Sequence, residues 1–228
     1  MEESEKHYEK LDLTSYIPMI KPRDQKILNE VVFDYGSMSR NALIKHTYLN
    51  FPFYAIHSTI VHEVLSGNQF ERVEKAIPKD DQVTLFTIGY EGISLEKYLQ
   101  KLIRNNVKLL VDVRRNPLSM KFGFSKTRLK QYCNSVGVEY IHIPEVGISS
   151  DKRHSLKNQS DYDKLFENYR NTTLKETINT QEKILDFLEN YKRITLTCFE
   201  AEPCQCHRTH LASVISELPG FEYPLIHL

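Results

Sequence analysis

Three of the chain's four cysteines crowd into one short stretch, Ile194-Thr-Leu-Thr-Cys-Phe-Glu-Ala-Glu-Pro-Cys-Gln-Cys-His-Arg208, beside Glu200, Glu202, His207 and Arg208. Core packing does not ask for that mixture, so the stretch reads as a chemical site or an anion site. A thiolate is the nucleophilic form of cysteine, and a positive helix end, an imidazolium and a guanidinium each favour it. Cys206 stands at an expected helix start next to His207 and Arg208, so it is the first candidate nucleophile. Glu200 and His207 are its candidate acid–base partners, and Arg208 offers a planar fork to an anion beside free backbone N–H groups. A zinc reading would use Cys198, Cys204, Cys206, His207 and His210. Their order, Cys-x5-Cys-x-Cys-His-x2-His, departs from the usual paired Cys-x2-4-Cys spacing. Adjacent Cys206 and His207 are also not expected to ligate one ion. No metal ligand is therefore assigned, structural zinc is not expected, and the cofactor stays open. Cys198 can alternatively be a packed strand-end cysteine, and Cys133, on a helical stripe with Leu129 and Tyr132, reads as structural.

The elements around this stretch follow from periodicity. Ile194, Leu196 and Cys198 alternate with Thr195 and Thr197, which suits a strand. Pro203 interrupts regular structure, and Leu211, Val214, Ile215 and Leu218 return at helical spacing. Upstream, strands are expected at Val83–Ile88, Val107–Val113 and Val138–Ile143. A helix capped by Ser94 and buried through Leu95, Tyr98, Leu99, Leu102 and Ile103 follows the first, and a helix from Ser125 to Ser135 follows the second. Further helices are expected at about 160–170 and 175–190, and a last strand within Phe221–Leu228. This order predicts an α/β domain with a mostly parallel, Rossmann-like sheet and helices on both faces. In such a sheet, ligands gather outside the carboxyl ends of the strands.

Those ends carry Gly89, Tyr90, Glu91 and Gly92 from the first strand, and Asp112, Arg114 and Arg115 from the second. The third brings His142, and the fourth brings Cys198, Glu200, Cys206, His207 and Arg208. Asp112 lies in an apolar run and serves either as a catalytic carboxylate or as a buried acceptor paired with an arginine. Arg114 and Arg115 leave the strand on opposite sides, so only one is expected to face the site. Gly89 and Gly92 read first as turn glycines, because the phosphate-loop lysine and glycine spacing are absent. Tyr90 can line the pocket or stack on a base.

Residues 1–80 read as a separate all-helical module. Residues 1–20 have no clear period and read as an arm. Helices are expected from Pro22 with Ile27, Leu28, Val31, Val32 and Tyr35 inward, from Ser37 or Ser39, and through Ile56–Val64 up to Gly67. The module is either a helix-turn-helix-type binder, with Arg40, Lys45 and His46 as its basic groups, or a cap. Asn68 to Gln82 reads as a linker. Thirty basic residues balance thirty acidic ones, so nucleic acid must be held by a local patch rather than a global field. No run of about 18 apolar residues is present, so no membrane span is expected. The polar, acidic start is wrong for a secretory signal, so a cytoplasmic protein with reduced thiols is expected.

Residues 84–228 resemble the bacterial family called domain of unknown function 488. The landmarks are Thr87-Ile-Gly-Tyr-Glu-Gly92, Leu110-Val-Asp-Val-Arg-Arg115 with Pro117, and Gly123-Phe-Ser125. Val138-Glu-Tyr-Ile-His142 with Gly147, and Cys198-x-Glu200…Pro203…Cys206-His-Arg208, complete the set. Phe199 stands where a small residue is more usual, and Cys204 is extra. The resemblance implies a compact α/β domain with these residues around one pocket, and it implies no reaction. The mixed rim predicts an enzyme acting on a nucleotide, nucleobase or nucleic acid. The rival readings are a non-catalytic nucleic-acid or partner-binding module and a thiolate–metal or redox site.

Overall fold

The structure is a computed structural model that describes residues 17–149 and 159–228. The expected arm up to residue 16, and the loop residues Asp151, Lys152, Arg153 and His154, lie outside the described residues. The chain divides into two compact units, Met1–Ile77 and Pro78–Leu228.

In the first unit, α1 (Pro22–Tyr35) starts with proline in its first turn, and α2 (Arg40–Asn50) is capped by Ser39, whose hydroxyl accepts from Ala42 N–H. A 3-10 turn at Pro52–Ala55 follows, then the short α3 (Val61–Val64). The stretch from Asn68, expected to be a linker, instead forms α4 (Asn68–Ala76). Its one buried side chain is Val73, which packs with Ala55, Val61 and Leu65 into a small core. Phe70, one turn earlier, packs against the same core, and charged residues surround these two and mask the helical period. Gly67, at φ +49°, opens this helix rather than only closing the one before. The apolar stripe of α1 is not a packed face: Val31 is 48% and Val32 58% exposed, and no α1 residue is buried.

The second unit alternates strands and helices. β1 (Thr84–Gly89) leads to α5 (Leu95–Arg104), β2 (Leu109–Asp112) to α6 (Lys126–Ser135), and β3 (Glu139–His142) to α7 (Gln159–Asn171), α8 (Thr173–Glu176) and α9 (Ile178–Tyr191). β4 (Arg193–Cys198) leads through a 3-10 turn at Pro203–Gln205 to α10 (His207–Ser216), and β5 (Leu225–His227) closes the chain. The five strands form one sheet in the order β3-β2-β4-β1-β5, and every pairing is parallel.

Both faces of the sheet are covered. Leu85, Leu109, Val111, Ile194 and Leu196 pack under α7, α8, α9 and α10. Phe86, Ile88 and Leu110 pack under α5 and α6, against Tyr98, Leu102, Leu129 and Cys133. Every residue of β1 and β2 is buried, as expected for strands covered on both faces. The register matters for the site. Gly89 pairs with Cys198, and Asp112 pairs with both Thr197 and His142, so the four strand ends lie side by side. β2 and β4 are neighbours, yet α6 leaves β2 on one face and α10 leaves β4 on the other. That reversal opens a crevice at their carboxyl ends.

Candidate active site at the carboxyl ends of the strands

The buried frame of the site is an ion pair. Asp112 is fully buried; its Oδ1 accepts from Arg114 Nε (2.8 Å) and Arg114 N–H (3.1 Å), and its Oδ2 accepts from Tyr140 Oη (2.6 Å) and Arg114 Nη2. Arg114 Nη1 donates to Tyr90 Oη (2.8 Å) and to the Phe124 carbonyl (2.9 Å). Burial alone would lower the Arg114 pKa, but the Asp112 hydrogen bond and charge more than offset it and hold the guanidinium protonated. Burial, with the Asp112 charge, also keeps the Tyr140 phenol protonated. Tyr90 stacks on Phe124, with ring centroids 4.3 Å apart at 10°.

This network bears on two readings that the sequence left open. Asp112 is a buried acceptor paired with an arginine, and both of its oxygens are taken up inside the protein. The Arg114 guanidinium is held by four hydrogen bonds to three partners, which leaves Arg115 as the exposed guanidinium here; among the described residues it bonds to the Pro144 carbonyl at 3.3 Å. His142 is used structurally as well. Its Nε2–H donates to the Arg114 carbonyl (2.9 Å), and its Nδ1 faces Lys126 Nζ (3.1 Å).

The β1 turn is locked to the loop after β4. Tyr90 N–H and Glu91 N–H both donate to the Phe199 carbonyl (3.1 and 2.9 Å), and the Glu91 carboxylate accepts from Ala201 N–H (3.0 Å). Gly89 permits this crossing, because a Cβ there would sit 1.8 Å from the Glu200 carbonyl oxygen. Gly92 turns the chain at φ +72°. Glu91 thus anchors the loop after β4.

The thiol stretch differs most from expectation. Cys206 is fully buried, and burial, then the neighbouring Cys198 and Glu200, push its thiol well above the ordinary range, with Arg208 opposing. The expected depression is overridden by desolvation. Cys198 is the thiol that borders the crevice, with Sγ 3.5 Å from His207 Nδ1. His207 Nε2–H donates to the Val113 carbonyl at 3.0 Å, which leaves the Nδ1 lone pair facing Cys198. Both thiols donate to Glu200 Oε2, Cys198 at 3.2 Å and Cys206 at 3.0 Å. Arg208 is fully buried too, and its guanidinium donates to the Glu200 and Ala201 carbonyls, so it shapes the loop instead of offering a fork to solvent. Cys133 is inert: burial, aided by Asp112, lifts its thiol to about 12. Cys204 is exposed, and His210 Nδ1 faces Arg170 (3.0 Å).

A pocket of about 280 Å³ opens where these parts meet, bordered by Tyr90, Arg114, Arg115, Cys198, Phe199 and His207. Glu200 and Phe199 also line an adjoining pocket of about 200 Å³. Sequence reasoning brought Tyr90, Arg114, Arg115, Cys198 and His207 to this place. It missed Phe199 as a lining ring, although its size at that position was a signal, and it missed Tyr140 and Phe124 as the partners that fix Asp112 and Arg114.

The molecule is thus an all-parallel α/β domain whose polar groups collect at a strand-order reversal, preceded by a helical unit. The family described as domain of unknown function DUF488 matches residues 94–215, more than half of the chain, and the chain belongs to that family. The match takes in β2, the Asp112–Arg114 pair and the whole thiol stretch, and it begins after the β1 turn. No curated protein and no solved structure matches the chain. No helix among the described residues is long and apolar enough to cross a membrane.

Proposed function

We propose that the α/β domain is an enzyme acting on a nucleotide, a nucleobase or nucleic acid. One observation supports this best: a single pocket is bordered by an exposed guanidinium, an exposed aromatic ring and a thiol–imidazole pair. Arg115 would meet phosphate, for which its planar fork is suited. Phe199, 43% exposed and edge-on to Tyr90 at 5.3 Å, would give a base a stacking face. The reacting atom would then lie against Cys198 and His207. Tyr90 and Arg114 are already fixed by Phe124 and Asp112, so the wall is preorganised.

The test is fluorescence anisotropy of the full chain with short single- and double-stranded DNA and RNA and with labelled mononucleotides, from low to moderate salt. Bound probes are then analysed by mass spectrometry for a change in the base or the phosphate. Binding should fall with salt, and Arg115→Ala should weaken it about tenfold or more, as expected for a charge-assisted contact. Mass change in the probe that disappears with Cys198→Ser supports the enzyme. Binding with no change under any condition would instead favour the non-catalytic module, and no binding at low salt would remove both.

A further inference from the structure

We propose that Cys198, Glu200, Cys206 and His207 form a binding site for one zinc-class divalent ion. The inference goes beyond the nucleotide reading and does not depend on it. The four groups each bring one ligand atom, and these atoms all lie within 4.8 Å of one another. Three of the separations are 3.0 Å (Cys206 Sγ to Glu200 Oε2), 3.2 Å (Cys198 Sγ to Glu200 Oε2) and 3.5 Å (Cys198 Sγ to His207 Nδ1). Tetrahedral zinc with bonds of about 2.0–2.3 Å has ligand–ligand edges of roughly 3.3–3.8 Å. The cluster therefore already has nearly the dimensions of a coordination shell, and sulfur with imidazole and carboxylate is a donor set that suits zinc.

The surroundings point the same way. His207 is oriented as a ligand: its Nε2–H is held by the Val113 carbonyl at 3.0 Å, so the acceptor nitrogen is Nδ1, which faces Cys198 Sγ inside the cluster. That outer hydrogen bond is the usual support of a metal-bound imidazole. Cys198, Cys206 and His207 are buried, and Glu200 is half-buried. Zinc would displace the two thiol protons to solvent. Two thiolates and one carboxylate against a divalent ion leave a single negative charge. The fully buried Arg208 supplies its counterpart. Among the described residues it bonds only to the carbonyls of Glu200 and Ala201, its Nε has no hydrogen-bond partner, and no acidic side chain pairs with it. A buried guanidinium without an anion is costly, and the filled site provides one.

The spacing argument against zinc does not account for one local feature. Cys206 is extended (φ −129°, ψ 132°) as the N-cap of α10, and His207 is the first helical residue. The change of backbone direction lets two adjacent side chains converge. Cys204 and His210, which made the pattern look irregular, are outside the cluster, and Glu200 supplies the fourth ligand.

The experiment is elemental analysis of the full chain purified under reducing conditions with zinc in the growth medium. It is followed by removal of the metal and titration with Zn²⁺ and with Co²⁺ as a spectroscopic probe. One zinc per chain is expected, with a thiolate-to-cobalt charge-transfer band. Cys198→Ser and Cys206→Ser should lose the ion and the band, while Cys204→Ser keeps both. The wild-type cobalt spectrum stands even if a variant fails to fold. A wild-type chain that binds no Zn²⁺ and gives no thiolate–cobalt band overturns the site, as does loss of the ion in Cys204→Ser to the same extent as in Cys206→Ser. A metal-free chain that joins Cys198 to Cys206 under mild oxidant also overturns it in favour of a redox pair. Nucleotide binding without zinc would remove this site alone, and zinc without nucleotide binding would remove only the function proposed above.

Discussion

At the scale of single residues, the site depends on which charges are committed. Asp112 and Arg114 are buried against each other, and the carboxylate also holds Tyr140 while the guanidinium holds Tyr90. Breaking such a pair from one side strands the other charge, which costs about 3–5 kcal/mol. Asp112→Ala leaves Arg114 in that position and removes the acceptor of Tyr140. The expected outcome is a loss of that size in urea unfolding at neutral pH, well above the usual effect of one substitution. Arg115→Ala is the control, because its side chain is exposed and the bond it makes among the described residues is long, so it should leave stability within about 0.5 kcal/mol. Equal losses in the two variants would refute the assignment of Arg114 to the frame and Arg115 to the pocket.

At the scale of elements, the decisive contact is the crossing of the β1 turn over the loop after β4. A methyl at Gly89 would meet the Glu200 carbonyl at 1.8 Å, and that obstacle is backbone that cannot swing aside. Gly92 has a positive φ of +72° but nothing within 4 Å of a built Cβ. Gly92→Ala therefore carries only the left-handed strain of about 1–2 kcal/mol. Gly89→Ala must push two segments apart and should cost more, at or above the upper end of the 1–3 kcal/mol typical of overpacking. Thermal unfolding of the two variants checks the order, and a less stable Gly92→Ala would contradict it. These elements were partly legible. Alternation in Ile194–Cys198 and the long apolar run through Leu109–Val113 announced strands, Ser94 announced a helix, and the strand-end residues announced a common rim. Burial was not legible. Nothing in Arg114-Arg115 or in Cys206-His207-Arg208 says which guanidinium is sealed inside or which thiol meets the pocket, since strand pairing decides both. The helix Asn68–Ala76 was hidden because only Phe70 and Val73 carry its packed face among four charged residues, in a stretch that Pro78 and the Asp80-Asp81 pair made look like a linker.

At the scale of the whole molecule, the division between Ile77 and Pro78 places Asp80, Asp81 and Gln82 with the α/β domain, although their composition reads as a linker. The reason is Arg193, at the start of β4. It is buried, and its guanidinium donates to the carbonyls of Asn105 (2.7 Å) and Gln82 (2.7 Å) and pairs with Asp80 (3.1 Å). Asn106 Nδ2 also donates to the Asp80 carbonyl at 2.8 Å. A domain begun at Thr84 would lose Asp80 and Gln82 and put a new terminal ammonium beside the same guanidinium. Asp80 is largely exposed, so its ion pair is screened and contributes little. The lost carbonyl acceptors and the like-charge contact matter more, at about 1–3 kcal/mol for a buried group left short of partners. With about 2–4 °C per kcal/mol for a domain of this size, residues 78–228 should melt several degrees above residues 84–228, and raising salt should narrow the gap only partly, because the carbonyl bonds are not ionic. Matching melting temperatures would show that Arg193 finds other partners and that the structural start of the domain is β1 itself.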